Sequence, residues 1–589
     1  MTAISSYIQN IPLTALTRVA SGQEDADLAI LNARIVNVYS GEILDNCTVG
    51  IKGEWIAWVG EAPKKVDEAR TRVIDAGGKT LIPGFIDGHT HMAWLTDPAE
   101  FLNVAMKGGT TTLITETMET FPIRGGDGVK DFLAALKNQP IKIFATAPAM
   151  VSISRKLKGM PLEVLEDLLG QEGMVGLGET YWQAMIQDPD IFLPMFGRVL
   201  ACGKLLEGHS AGASGKKLMA YAAAGISSCH EPISAEEVLS RLRLGLYVMI
   251  REGSIRRDLE AIAKIRDFGV DTRRLILVTD GVSPEDLIHK GYMEYVVQKA
   301  IGCGFDPVTA IQMATLNVAE HFGLDALVGG IAPSKHADML IIPDPAAIAP
   351  EVVISRGRVV AENGQVLIPP RRHVFSEQSL ASINIPEALK PADFCIHPPE
   401  KTLFVRVRVI DLITELVTQE VQMEMPVIDG QILADTQNDI VKVAAIDRAH
   451  EPGKRFVGLL RGTGMKSGAF ASSAAWDTSD IIVVGTSDAD MALAANRIRE
   501  MQGGAVVCDQ GAVLAELALP VMGIMAQAPI AEMARQLEAI RTAIAGLWVS
   551  FSDPLLTLVT LTGAAIPYLR ICEEGLVNLK NGKTAGLWI

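Results

Sequence analysis

The residues best equipped for chemistry begin with His89 and His91, in the run Pro83-Gly84-Phe85-Ile86-Asp87-Gly88-His89-Thr90-His91. An apolar, β-like segment, Thr80-Leu81-Ile82, leads into them. Strand side chains alternate between faces, so histidines at positions i and i+2 turn their rings to the same side and can share a metal ion. An isolated pair of this kind is as readily a half-buried couple at a turn, and the rest of the chain has to decide. It offers Glu179, His209, His230 and Asp280, each closing a later apolar run. Singly these have ordinary readings: a helix N-terminal charge, a satisfied core histidine, an N-cap. Four imidazoles and two carboxylates that all close such runs point instead to two adjacent divalent metals with a bridging carboxylate. Such a pair shares a water, lowers its pKa toward neutrality and presents hydroxide to an electrophilic carbon. Mixed His and carboxylate ligation suits Zn, Fe or Mn. Asp280, at the last run, is placed to take the water's proton and pass it to the leaving group. The chemistry implied is metal-assisted hydrolysis.

Those groups need a scaffold that brings many strand ends to one rim. Between residues 84 and 330, short apolar runs alternate with helix-length amphipathic stretches, and eight runs count as strands. They are residues 81–86, 110–115, 141–147, 175–179, 204–209, 225–230, 246–251 and 275–280. Eight strands with intervening helices over about 250 residues suit a (β/α)8 barrel, whose function gathers at the C-terminal strand ends. Before it, residues 27–76 have a β texture cut by Gly and Asn turns, and a matching block follows at 337–360. One small sheet assembled from both flanks is the economical reading. After a Pro-rich junction, residues 403–407, 481–485 and 505–507 read as strands, and 488–496 and 530–547 as helices. The expected fold is therefore α/β: a TIM-type metal-dependent hydrolase barrel, a split small β-sandwich domain and a C-terminal α/β domain. The expected boundaries are 1–83 for a loosely helical arm and the first sandwich part, 84–330 for the barrel, 331–370 for the second sandwich part, 371–400 for a linker and 401–589 for the last domain.

At 589 residues the chain exceeds what one core usually organises. Its formal net charge of −16 argues against a nucleic-acid backbone as partner, because phosphate binding requires a basic face. The seven cysteines are scattered, odd in number and form no CxxC, so reduced thiols and a cytoplasmic setting are expected. A signal-like start is missing, and no window gives about 18 uninterrupted apolar residues, so no membrane association is expected.

The strand-one His pair, the strand-five and strand-six histidines and the final Asp, flanked by a split sheet, resemble the amidohydrolase superfamily. More narrowly, the chain resembles the adenine deaminase family along nearly its whole length. The supporting stretches include Cys229-His230-Glu231, Arg251-Glu252-Gly253-Ser254, Met313-Ala314-Thr315-Leu316-Asn317 and, in the last domain, Val483-Val484-Gly485-Thr486 and Leu519-Pro520-Val521-Met522-Gly523. The resemblance implies a dinuclear Mn or Fe centre, with Zn as a further option, in which His89, His91 and Asp280 serve one ion and His209 and His230 the other. Glu179 would stand where a carboxylated lysine bridges in many relatives. The reaction implied is adenine to hypoxanthine plus ammonia, with Asp280 and Glu179 as the catalytic candidates. A homo-oligomer acting on a purine-like small molecule is implied as well.

The chain departs from the family around the substrate. Met92-Ala93-Trp94 follows the His pair where the family has a Glu and two serines, and Glu116-Thr117-Met118-Glu119 replaces an Asp-Pro-His-Glu run. Gly281 replaces a second Asp, and Trp476-Asp477-Thr478-Ser479-Asp480 replaces His-Asp-Ser-His-Asn. Trp94, Met118, Glu119 and Arg251 are the candidate substrate contacts. The rewritten pocket supports an alternative, hydrolysis of another cyclic amidine, amide or pterin-like compound. A non-catalytic binding protein on the same fold is the remaining alternative.

Overall fold

The computed structural model describes residues 10–150, 152–155, 159–566 and 568–589. The first nine residues of the expected arm lie outside them. Helix Leu13–Ala20 buries Leu16 and Val19 in a cluster with Trp55 and Trp58.

Eight parallel strands form the centre: β1 (Phe85–Thr90), β2 (Thr110–Thr115), β3 (Lys142–Ala147), β4 (Met174–Tyr181), β5 (Leu205–His209), β6 (Ser228–Cys229), β7 (Tyr247–Arg251) and β8 (Leu275–Val278). Runs such as Thr-Thr-Thr-Leu-Ile-Thr in β2 and Leu-Ile-Leu-Val in β8 are buried along their full length. That is the signature of parallel strands covered by helices on one face and packed into the barrel interior on the other. β1 to β5 form one continuous ladder and β6 to β8 a second. Two seams join them. Ser227 N–H donates to Leu206 O between β5 and β6. At the other seam Thr90 bridges Asp280, Asp280 N–H donates to His89 O at 3.0 Å and His91 N–H donates to Asp280 O at 3.1 Å. The last seam of the barrel therefore runs through three of the chemically interesting residues.

Each expected run contributes a strand, with one difference at the start. Thr80–Pro83 and β1 are separate elements, divided at Gly84. Thr80–Pro83 belongs to a nine-stranded sheet, parallel to Leu28–Asn37 and antiparallel to Met339–Ile342. An apolar run does not reveal a change of sheet partner, so the sequence read the two as one strand. This sheet takes strands from both flanks of the barrel, and a buried Lys142–Asp338 pair, 2.7 Å apart, ties it to β3.

C-terminal to it stands an eight-stranded sheet, with Thr418–Pro426 at one edge and Ala512–Ala518 at the other, packed on helix Asp488–Met501. The connecting segment is anchored by Asp131, on the barrel helix Phe121–Leu136. Its carboxylate accepts from His373 Nε2 at 2.9 Å, Ser376 N–H at 3.0 Å, Ser376 Oγ at 2.8 Å and Ser379 Oγ at 2.6 Å. Burial pushes this carboxyl up, but the bonds from His373, Ser379 and Ser376 outweigh it and hold it below its ordinary 3.8. A lowered folded-state pKa gives stability that is complete above the unfolded value and lost as pH falls through the folded one. Asp131→Ala is therefore expected to cost about 2 kcal/mol at neutral pH, with the gap to wild type closing below about pH 4. Denaturant titrations at neutral and acid pH check this; an equal gap at both would count against it. Among the described residues, no helix is long and apolar enough to cross a membrane.

Candidate metal centre and substrate cavity

The backbone at the rim is fixed from below by two buried groups. Asp87, beneath the His pair, accepts His89 N–H at 3.2 Å and Thr279 N–H at 3.4 Å on one oxygen, and Thr279 Oγ1 and Tyr292 OH, both at 2.6 Å, on the other. It staples β1 to β8 under the seam, and burial pushes its carboxyl up to about 6. Tyr221 does the same for β4 and β5: its hydroxyl accepts His209 N–H at 2.8 Å and donates to Thr180 O. Asp280 itself has φ 63°, a left-handed conformation that Asp tolerates better than most residues. Strain of this kind persists where surrounding structure over-determines it.

All six rim residues converge. Glu179 Oε1 lies 3.0 Å from His91 Nε2, 3.3 Å from His89 Nε2 and 3.6 Å from His230 Nε2. Asp280 Oδ1 lies 3.1 Å from His91 Nε2 and 3.6 Å from His89 Nε2. Candidate ligand atoms of His89, His91, Glu179 and Asp280 all fall within 4.8 Å of one another, as do those of Glu179, His209 and His230. Glu179 is common to both groups. All six residues are buried. His89 Nε2, which faces Glu179 and Asp280, is buried without a well-directed hydrogen bond among the described residues. Buried polar atoms left in that condition are costly, and a cation between these carboxylates and neutral imidazoles would satisfy them. The donor set fits divalent metal.

The charges are mutually dependent. Burial alone would raise the carboxyls of Glu179 and Asp280, yet contacts with His89 and His91 and the other neighbouring cations hold both well below the carboxylate range. Burial works against charge on His89 and His91 too, and the surrounding Asp280, Glu116, Glu119 and Glu179 reverse it. Burial and the neighbouring His89 push His230 down to about 3, so it is a neutral ring.

A second ring of side chains orients the first. Glu119 bonds His91 Nδ1, and Glu116 lies 3.5 Å from His89 Nδ1. Glu231 stands 3.1 Å from His209 Nε2 and pairs with Arg251, whose guanidinium also reaches Asp258 at 2.9 Å and Asp280 Oδ2 at 3.4 Å. A Cβ at Gly178 would collide with the Glu116 carboxylate, which explains a glycine one residue before Glu179.

The cluster opens into a cavity of about 270 Å³. Met118, Glu119 and Arg251 line it. Trp94 does not: it stands behind the wall, packed on Trp476 with ring centroids 5.4 Å apart, and faces a separate small cavity. Its expected substrate contact is thereby corrected, because Trp476 occupies the place between it and the site. Sequence reasoning missed Tyr181, Ile255 and Glu231 as lining residues, along with Thr414, Leu416, Val417, Ala565 and Ile566 from the C-terminal part. The fragment Cys229-His230-Glu231 carried a signal for Glu231; the others had none. Two of the positions that the resemblance marked as departures, Trp94 and Gly281, meet in space. Ile255 fills the place a side chain at Gly281 would take, and Trp94 lies 4.0 Å from it.

A parallel eight-stranded barrel with His, Glu and Asp side chains gathered at its strand ends is the architecture of a metal-dependent hydrolase, and residues 80–365 match the amidohydrolase family. The chain belongs to the adenine deaminase family of these enzymes. It is 38% identical over 591 residues to the adenine deaminase of Moorella thermoacetica, covering 98% of both chains. It is 34% identical to that of Clostridium botulinum strain 657, covering 98% of this chain and 97% of that one. The adenine deaminase of Cenarchaeum symbiosum is 34% identical, with 96% and 94% covered. Residues 415–583 match the adenine deaminase C-terminal domain. The buried cluster is accordingly a divalent metal site.

Proposed function

We propose that the protein converts adenine to hypoxanthine and ammonia by metal-dependent hydrolysis. The observation that carries this reading is the convergence of six buried groups, sharing Glu179, five of which line a cavity large enough for a planar heterocycle. Its full-length likeness to adenine deaminases supports the substrate. His89, His91, Glu179 and Asp280 would hold one ion, and Glu179, His209 and His230 the other, Mn or Fe before Zn. When bound, the ions supply an acidified water and positive charge beside the ring. Asp280 accepts the proton as oxygen adds to the ring carbon and returns it to the exocyclic nitrogen, which leaves as ammonia. Arg251, at 3.4 Å, steadies the charged form of Asp280. Met118, Ile255 and Trp476 form apolar wall that keeps bulk water from the reacting face.

The test is ammonia and hypoxanthine formation from adenine by full-length protein loaded with Mn. Stoichiometric products support the reading. Two tightly held metals with no product overturn adenine as substrate and favour another cyclic amidine or amide, a reading for which the apolar Met118 and Trp476 speak. The seven free cysteines support a reducing, cytoplasmic setting, and the exposed Ile191, Leu193 and Leu200 on helix Pro189–Ala201 are suited to a subunit contact in a homo-oligomer.

A further inference from the structure

We propose that Asp477 is a positioning residue for the substrate cavity, holding a wall built from three distant parts of the chain. The inference rests on the deaminase reading of that cavity. Asp477 lies between strands Ala469–Ser472 and Asp480–Gly485 of the eight-stranded sheet and is 2% exposed. It does not line the cavity, but what it binds does.

Its Oδ2 accepts Ala564 N–H at 2.8 Å and Tyr181 OH at 3.4 Å. Tyr181 ends β4, and Ala565 and Ile566 continue the turn from Ala564; all three line the cavity. Its backbone oxygen accepts Ile153 N–H at 2.9 Å, a second bond to the barrel. The preceding residue is Trp476, a cavity wall in its own right, whose carbonyl accepts Thr562 Oγ1 at 2.6 Å. One carboxylate oxygen thus joins a barrel strand, a sheet loop and a C-terminal turn at the point where all three face the substrate. Tyr181 also stands edge-on to His209, with ring centroids 4.9 Å apart, so its placement bears on the metal side of the cavity as well.

The residue is held under adverse conditions. Its φ of 54° is left-handed, and Oδ1 is buried without a hydrogen-bond partner among the described residues. Burial, with the nearby Glu179 and Glu119 and against His209, pushes the carboxyl up to about 7. An apolar side chain would avoid these costs but could not accept two hydrogen bonds on one atom. Asn could, through its carbonyl oxygen.

Steady-state kinetics on the Mn-loaded full chain with adenine test the proposal. Asp477→Ala should raise KM about tenfold, the worth of one or two lost hydrogen bonds, with kcat within about threefold of wild type. Asp477→Asn should restore KM to within about threefold. Tyr181→Phe, which removes the same bond from the barrel side, should raise KM by about three- to fivefold. An unchanged KM in Asp477→Ala, a loss confined to kcat, or an Asn variant as impaired as Ala would overturn it. Should the Ala variant fail to fold, an unchanged KM in Tyr181→Phe overturns it alone. A wild type that makes no ammonia overturns the underlying deaminase reading, an outcome no variant can imitate.

Discussion

Asp280→Asn is expected to lower kcat for deamination by about 10³-fold in metal-loaded protein, the middle of the range for losing a positioned proton-transfer group. Asn is nearly the same shape, and it accepts the φ of 63° at this position as well as Asp does. The backbone bonds that Asp280 makes to His89 and His91 do not involve its side chain, so the barrel seam survives the change. What disappears is the carboxylate, 3.1 Å from His91 Nε2, that can take a proton and give it back. Metal content must be measured beside the rate, because Asp280 also belongs to one of the two ligand groups. A variant with full metal content and a rate within tenfold of wild type would remove Asp280 from the proton path.

The second large effect is expected at Glu179. Its Oε1 lies within 3.6 Å of imidazole nitrogens from His89, His91 and His230, and it is shared by both ligand groups. Substituting a side chain that merely orients a ligand costs about 10- to 100-fold in metal affinity, so replacing one that both groups share should cost more than ~100-fold. Glu179→Gln is therefore expected to leave less than one tightly held metal per chain and no measurable turnover. His209→Ala, which touches only one group, should leave the other ion in place. Metal analysis after dialysis distinguishes them. Equal losses in the two variants would sink the idea of a shared carboxylate.

Much of this was legible in the sequence, for identifiable reasons. Parallel barrel strands are buried on both faces, so they read as apolar runs, and a polar or charged residue closing such a run stands out; His89, Glu179, His209 and Asp280 were found that way. The division at Gly84 was not legible, because pairing partners are absent from a one-dimensional pattern. The walls of the cavity were harder still. Thr414, Leu416, Val417, Ala565 and Ile566 come from loops more than a hundred residues beyond the last barrel strand, and nothing local marks them. Trp94 was singled out because the resemblance marked it as a departure from the family. In the structure its role is packing: Trp94 backs Trp476, and Ile255 occupies the room that Gly281 leaves. Trp94 and Trp476, separate departures in the sequence, pack on each other in the structure.

The seam between β8 and β1 carries one more implication. Its backbone bonds are made by Asp280, His89 and His91, so the joint that closes the barrel and the joint that would grip metal are the same few residues. An ion bound there is available only to the closed cylinder. By mass action, a free ion concentration a hundredfold above its dissociation constant adds about 2.7 kcal/mol to the closed state. Heat resistance and protease survival should therefore rise and fall with the supply of divalent metal. A cell starved of it would lose the protein itself through turnover, as well as the activity.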